Sequence, residues 1–458
     1  MLYVNKDTNL SVELLHKMIN HFIVNVEPKL EKYKNYYDGV QAILNKAYRD
    51  PSKPCNRSVI NYCRNIVDSY TGYLATPGYI SYSSENDIDE IMNILRYNDY
   101  QSEDGRFLQD ALVYGVATEL MYHDNEGQTR FRLIDPRTCF GVYDDSLTGD
   151  LLYFVRIYKE SEWDNSNKYL IDVYDDNIIM HYSSSGRNGQ LKFIGAEQHY
   201  FSQCPVNIFM LPDEKSIFDC IMSLQDSVNE LLSAEIDDYQ AFCDAYLAIE
   251  DAELDQDSVK EMKENRVLLL PAGSKAYWIT KATNDVQIEN ILRKLHDSIY
   301  SIACCPDFNS EKFVGGVSSG IAIQYRLCGM ENKAGAIEGE MKKALQRRVE
   351  IICGIASLKL GEEVFRDIQI TFKRNIPDDL TTSVNVVNGL RGLVSDETLL
   401  EQIPFVTDVP QELEKLGAQK QSNIDLYGGG LFNASEDDSE EDEKEETGST
   451  WNNFYTNQ

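Results

Sequence analysis

The sequence predicts an α+β fold: a block of short strands set between long amphipathic helices. Three observations carry that prediction. Residues 117–194 alternate with a period of two and are rich in Tyr, Phe, Val and Ile. Residues 216–250 repeat apolar side chains at intervals of three and four, at Ile217, Ile221, Leu224, Val228, Leu231, Leu232 and Ile236. Two further helical stripes begin near Val286 and Gly320. The chain has 458 residues, 42% of them hydrophobic, which is enough for a sizeable core and two to four domains.

Taken in order, residues 10–50 are mainly helical, with Leu14, Leu15, Met18, Ile19, Phe22 and Ile23 on one face. Arg57–Leu74 is expected as a second amphipathic helix, ended by the Thr76-Pro77-Gly78 breaker. Ile88–Tyr114 continues helical. Strands are expected at Ala117–His123, Arg130–Ile134, Phe140–Tyr143, Leu151–Tyr158, Tyr169–Tyr174, Ile178–Tyr182 and Leu191–Ile194. Turn pieces such as HDNEG, DDSLTGD and SSSGRNG separate them, which predicts one antiparallel meander.

Ser216–Glu250 then reads as a single helix of 35 residues, roughly 50 Å long. It carries eight carboxylates (Asp219, Asp226, Glu230, Glu235, Asp237, Asp238, Asp244, Glu250) and no Lys or Arg. Like charges three or four apart on a helix repel by a few tenths of a kcal/mol per pair. Two readings account for them: a solvated outer face, or a surface whose work needs negative charge. A polar insert, Asp251–Asp285, holds two short strands at Arg266–Pro271 and Ala276–Thr280. A helix from Val286 ends before Pro306, and the loop 309–319 leads to a third long helix, Gly320–Leu358. In that helix Gly329, Gly335 and Gly339 predict a bend or close packing, and Lys342, Lys343, Arg347 and Arg348 form a basic island. A strand (Asp367–Arg374) and a small helical region (Thr382–Leu416) follow. From Gly428 the composition predicts a disordered tail, with nine acids and one Lys in Ser435–Glu446.

Composition excludes several functions. With 43 basic and 75 acidic residues the net charge is −32, a field that repels nucleic acid at long range and disfavours a sequence-reading DNA binder. No apolar run approaches 18 residues and the first residues lack a basic segment followed by an apolar one, so a soluble, unexported protein is expected. Ten scattered cysteines without a C-x-x-C pair are expected as reduced thiols. Catalytic signals fail in turn. Gly316-Val-Ser-Ser-Gly320 fits G-x-S-x-G, but that elbow needs a strand before it in an alternating α/β pattern, so Ser318 or Ser319 is read as a helix N-cap. The glycines 315–320 have phosphate-loop spacing, yet Ile321-Ala322 stand where Lys-Ser/Thr would. The six histidines show no H-E-x-x-H spacing. Neither an enzyme, a cofactor nor a metal is expected.

Three blocks, in order, carry a family resemblance. The first is Tyr36-Tyr-Asp-Gly39 with Asn56-Arg57, Asn61-Tyr62, Ile66-Val67-Asp68 and Gly72-Tyr-Leu. The second runs from Val206 through the acidic helix to Ala245-Tyr-Leu-Ala-Ile. The third is Ser319-Gly-Ile-Ala-Ile-Gln-Tyr-Arg-Leu with Arg347-Arg348, Asn375-Ile-Pro and Val394-Ser-Asp-Glu-Thr. Together they resemble the portal proteins of tailed bacteriophages, in the SPP1-type (Gp6-like) branch, over residues 30 to 416. Thr76, where the family often has Gly, Met210-Leu211-Pro212 and the acidic tail depart from the pattern.

The resemblance implies a ring, usually of twelve subunits, at one capsid vertex, through which double-stranded DNA is packaged and ejected without sequence readout. It implies a portal fold: a β-rich wing (1–215), stem helices (216–250 and 286–308), a small α/β clip (251–285) and a tunnel loop (309–319). The long helix and its strand (320–375) rejoin the wing, 376–427 form a helical crown, and 428–458 are the acidic tail. Expected DNA-facing loop residues are Asn309, Glu311, Lys312, Phe313, Gly315 and Gly316. Glu230, Asp237 and Asp244 are the expected channel-lining carboxylates, since a basic bore would hold the duplex and stall it. Tyr277 and Trp278 are either docking residues of the clip or buried strand aromatics. Lys342, Lys343, Arg347 and Arg348 either answer a neighbouring subunit's acids or form a solvated face. Implied partners are further copies of the chain, the major capsid protein and scaffold, the terminase large subunit and a head-completion adaptor, with no membrane. Readings of another class are a monomeric neck adaptor or scaffold, and a hydrolase using Ser318.

Overall fold

The tyrosine- and valine-rich middle of the chain folds as two sheets rather than one meander. The computed structural model describes residues 2–6, 8–47, 54–161, 163, 167–243, 246–250, 260, 273, 275–279, 285–310, 320–355, 364–375, 387–401, 403, 406, 409 and 412–419. Its larger unit, Met1–Ile376, begins with β1 (Leu2–Val4), α1 (Val12–His21), a π-helical turn (Phe22–Val26) and α2 (Glu27–Asp38). Next come α3 (Tyr62–Leu74), β2 (Ile80–Ser83), α4 (Asp89–Tyr97) and α5 (Tyr100–Tyr114). Strands β3 (Val116–His123), β4 (Thr129–Ile134), β5 (Cys139–Asp144), β6 (Leu151–Lys159) and β7 (Tyr169–Tyr174) follow. They continue as β8 (Ile178–Ser184), β9 (Leu191–Gln198) and β10 (Val206–Met210).

The larger sheet has the order β1-β5-β6-β7-β8-β9, with β1 parallel to β5 and every other pair antiparallel. The β3–β4 hairpin leaves it to pair with β10, Met210 opposite Val116. The sequence pattern Val-Asn-Ile-Phe-Met explains this: β10 buries Val206, Asn207 and Phe209 and so needs a partner strand.

Three helices do not run where periodicity places them. The helix expected from Arg57 starts at Tyr62, capped by Asn61, whose Oδ1 accepts the Arg64 N–H at 3.1 Å. The helix expected over 88–114 breaks into α4 and α5 at Asn98-Asp99, where Asp99 has φ 51°. The acidic helix α6 (Met222–Cys243), entered by a 3-10 turn at Asp219–Ile221, ends before Tyr246. Tyr246–Glu250 is instead a strand, β11, antiparallel to β12 (Lys275–Ile279) with Leu247 opposite Trp278. Its Tyr-Leu-Ala-Ile stretch suits a strand as well as a helix, and pairing decides.

Helix α7 (Asp285–Ala303) packs against α6. Helix α8 (Gly320–Cys353) crosses the core with Met330, Ala334, Ile337, Met341 and Leu345 buried at three- and four-residue steps. These meet Ile66, Val67 and Tyr70 of α3 and Phe107, Leu108 and Ala111 of α5 in one apolar cluster. A side chain at Gly329, Gly335 or Gly339 would meet nothing within 4 Å, so close packing does not account for these glycines. After α8, β13 (Gln369–Phe372) pairs antiparallel with β2, Phe372 opposite Ile80. The second unit, Pro377–Gln458, includes a short helix, Asp396–Glu401, capped by Ser395, whose Oγ accepts the Thr398 N–H at 3.3 Å.

Gly115 shows how the start of α6 is placed. Its φ is 84°, and a Cβ there would lie 2.6 Å from the Lys215 nitrogen, so only glycine lets the α5–β3 turn approach that backbone. The Ile217 N–H and the Ser216 hydroxyl both donate to the Leu112 carbonyl, at 3.0 and 3.1 Å.

Candidate functional site: the acidic helix and its seat

One side of α6 is a polar ladder. Gln225, Asn229, Ser233 and Asp237 recur every fourth residue, one above the other on the helix surface. The segment 56–62 runs antiparallel beside them and offers every second N–H. Tyr62 donates to Gln225 Oε1 at 3.0 Å, Ile60 to Asn229 Oδ1 at 3.0 Å, Ser58 to Ser233 Oγ at 3.0 Å and Asn56 to Asp237 Oδ1 at 2.6 Å. The periods match physically: four helical residues rise about 6.0 Å and two extended residues about 6.6 Å. Gln225, Asn229 and Ser233 are fully buried, so the helix side chains supply the acceptors that a strand would find in a sheet. Asn229 Nδ2 donates in turn to Gln41 Oε1, and Gln41 Nε2 donates to the Tyr36 carbonyl at 3.2 Å.

The carboxylates of the helix therefore divide. Asp219 accepts from the Tyr33 hydroxyl at 2.6 Å and Asp226 from the Tyr36 hydroxyl at 2.8 Å. Burial first, then these carboxylates, pushes both phenols well above the ordinary range. Asp237 binds the Lys46 ammonium at 2.7 Å as well as Asn56. Burial raises its pKa, but the Lys46 and Asn56 donors outweigh burial and hold it below the usual carboxylate value. Asp237, one of the expected channel-lining set, is thus turned to Lys46 and Asn56 of its own chain, where its carboxylate completes the ladder. Glu230 is exposed, on a stripe with Ser223, Ser227, Ala234 and Asp238. Asp244 lies outside the described residues.

The far end of α7 is fixed by α3. The Tyr62 hydroxyl meets His296 Nδ1 at 3.1 Å, and His296 Nε2 meets Asp307 Oδ2 at 3.2 Å, with Tyr300 edge-on to both rings. The Tyr70 hydroxyl donates to the Ala303 and Cys304 carbonyls, each at 3.1 Å, capping α7 where Cys304 turns left-handed at φ 54°. The Lys333 ammonium lies 3.5 Å from the Ile217 and Ala303 carbonyls and so reaches from α8 to the start of one long helix and the end of the other. Asn309 is exposed and donates its N–H to Asp307 Oδ1 at 3.1 Å. Glu311, Lys312, Phe313, Gly315 and Gly316 lie outside the described residues. Of Tyr277 and Trp278 the backbone alone is placed, in β12 opposite Ala248 and Leu247.

The basic island splits by helical phase. Arg348 is seven residues beyond Met341, on the buried stripe, and is wholly buried. Its guanidinium bonds Glu119 at 2.8 and 2.9 Å and reaches Asp104, over the Phe131 ring at 4.7 Å. Arg348 is therefore a core ion pair and cannot meet another subunit. Burial, only partly offset by Arg348, raises Asp104 to about 6. Lys342 is half-buried and Lys343 exposed, and they bind Glu338 and Glu340 of their own helix at 2.7 and 2.8 Å. Arg347 bonds Gln203 at 2.6 Å and Glu350 at 2.7 Å.

The sequence reading missed the ladder and the Tyr62–His296–Asp307 chain. The signal for the ladder was present in Gln225-x3-Asn229-x3-Ser233-x3-Asp237, a polar stripe of short side chains where a solvated face would carry longer ones.

What these elements define is an α+β body that seats two long helices side by side, one of them acidic. Comparison with known families takes this further. Residues 15–426 match the profile of the phage portal proteins of the SPP1 Gp6-like type, and the chain belongs to that family. It is 21% identical over 450 residues to the portal protein of Bacillus phage SPP1, covering 90% of this chain and 85% of that protein. It is 22% identical over 416 residues to the portal protein of Clostridium phage phiCD119, covering 84% of this chain and 90% of that one. Its role is that of a phage portal, a structural part of the virion. Among the described residues no helix is long and apolar enough to cross a membrane.

Proposed function

We propose that the chain assembles as a closed ring of about twelve copies at one capsid vertex, with α6 and α7 as its stem and the exposed stripe of α6 facing the bore. DNA passes in during packaging and out at ejection. The wing corresponds to 1–215 with 320–375, the clip to 251–285 and the crown to 376–427. The loop 309–319 reaches toward the duplex, with Lys312 touching phosphates transiently. The clip, with Tyr277 and Trp278, docks the terminase and later a head-completion adaptor, while the capsid protein and scaffold surround the wing. Assembly takes place in the host cytoplasm, and no step of the work is catalytic.

The observation that carries this reading is the division of the acids. Asp219 and Asp226 are held by Tyr33 and Tyr36, and Asp237 by Lys46 and Asn56, whereas Glu230 stands on the exposed stripe. Duplex DNA carries one negative charge per about 1.7 Å of axis, so a negative wall repels it weakly everywhere and binds it nowhere. Reversing the wall tests the idea. Glu230→Lys with Asp238→Lys is expected to leave rings intact and to slow or stall packaging, most at low salt. Packaging at the wild-type rate through intact double-variant rings would refute the assignment of this face. Deleting Lys312–Gly316 is expected to leave rings intact and impair packaging or retention, and loss of the rings themselves would count against the loop's role.

A further inference from the structure

A cavity of about 380 Å3 opens where the π-helical turn Phe22–Val26 and the first turns of α2 meet the seam between the two sheets. Phe140 and Tyr143 of β5, Phe22, Tyr33 and Tyr114 place aromatic rings in its wall. Close-packed interiors hold few voids of this size, and a mostly apolar recess with a few polar groups is the usual form of a binding pocket. π-helical turns also gather at functional sites. Lys29 lines the cavity, is exposed and, among the described residues, forms no salt bridge. Asn25 and Glu214 also line it and can accept a hydrogen bond from an entering N–H.

The same chain leaves a large aromatic side chain in water. Trp163 lies in the β6–β7 connection and is 96% exposed. In the sequence it stands between Glu162 and Asp164. A free indole in water forfeits a large burial energy, and a buried one needs an acceptor for its N–H. We infer that Trp163 of one copy seats in this cavity of the next copy. Its ring lies among the aromatic walls, its N–H donates to Glu214 or Asn25, and the two acids beside it in the sequence complement the charge of Lys29. Knob and recess are different patches of one chain, so the contact is heterologous and repeats head to tail until the ring closes. The inference rests on the ring proposed above. Leu147, equally exposed in the β5–β6 turn, is a competing knob, but it offers neither an aromatic face nor an N–H.

The full-length chain and its variants are followed by light scattering across concentration, with negative-stain images of each sample. Trp163→Ala changes a side chain that a single copy leaves in water, so the fold is unaffected. It is expected to raise the concentration at which rings fall apart at least tenfold, the scale of an interface hot spot. Val26→Trp, which fills the recess, is expected to do the same, and Lys29→Glu serves as the surface variant should Val26→Trp fail to fold. Leu147→Ala is expected to have no effect. In a Trp163→Cys, Asn25→Cys double variant, oxidation is expected to give a ladder of linked copies that neither single variant gives. Rings that form normally with Trp163→Ala, or that respond to Leu147→Ala instead, overturn the contact and leave the ring reading standing. A wild-type chain that stays monomeric with scaffold and capsid protein present overturns both.

Discussion

Asn229→Ala removes the middle rung of the ladder, and its consequence can be worked from the bonds it makes. Asn229 accepts from the Ile60 N–H at 3.0 Å and from Gln225 Nε2 at 3.2 Å, and donates to Gln41 Oε1. Gln225 Nε2 keeps its bond to the Ile60 carbonyl, so its loss is partial. Gln41 is 1% exposed, and stranding its carbonyl oxygen costs about 1–3 kcal/mol. The Ile60 N–H lies nearer solvent, and losing its acceptor costs about 0.5–1.5 kcal/mol. The sum is about 1.5–4.5 kcal/mol, concentrated where 56–62 lies on α6. Hydrogen exchange reads it locally: the Ser58, Ile60 and Tyr62 amides are expected to exchange about 12- to 1,600-fold faster, at about 1.4 kcal/mol per tenfold. Ser227→Ala, on the exposed face, is expected within about 0.5 kcal/mol of wild type. Unchanged protection at Ile60 in Asn229→Ala would refute the claim that helix side chains hold this segment.

Other expectations follow from the same contacts. Arg348→Met strands two buried carboxylates and is expected to cost about 3–5 kcal/mol in urea melts at any protein concentration, while Lys342→Met costs about 0.3–0.5 kcal/mol. A concentration-dependent loss in Arg348→Met would restore an inter-subunit role. The Asp237 carboxyl is held low in the folded state, so its stabilisation is complete above the unfolded value of about 3.9 and is lost as pH falls through the folded value. Acid below about pH 4 is therefore expected to loosen 54–62, and Asp237→Asn to flatten that dependence, as exchange rates across pH would report. Tyr70→Phe removes the hydroxyl that serves the Ala303 and Cys304 carbonyls and is expected to cost about 1–3 kcal/mol and to speed exchange in the last turn of α7.

The strands were legible because alternation of Tyr, Val and Ile is a local signal, and β3 to β8 fall within two residues of their expected bounds. Their division into two sheets was not, since it depends on β10 returning to β3 from nearly ninety residues away. The helix expected from Arg57 failed for a related reason. Periodicity runs through 57–61, but α6 offers those N–H groups acceptors that a helix would have to replace. Within the site, net charge was readable and its allocation was not. Asp237 and Glu230 are alike in sequence, and what separates them is Lys46 and Asn56, about 180 residues earlier. Arg348 was recoverable, because its seven-residue spacing from Met341 places it on the buried stripe that Lys342 and Lys343 avoid.

The most direct test of the central claim is an image reconstruction of the purified full-length chain, with its mass measured by light scattering on the same sample. The account predicts closed rings of about twelve copies with a central hole, α6 and α7 alongside it, Glu230 and Asp238 facing the hole and Asp237 facing its own chain. A ring with the Glu230 stripe on its outside, or a chain that stays monomeric with scaffold and capsid protein present, would contradict it.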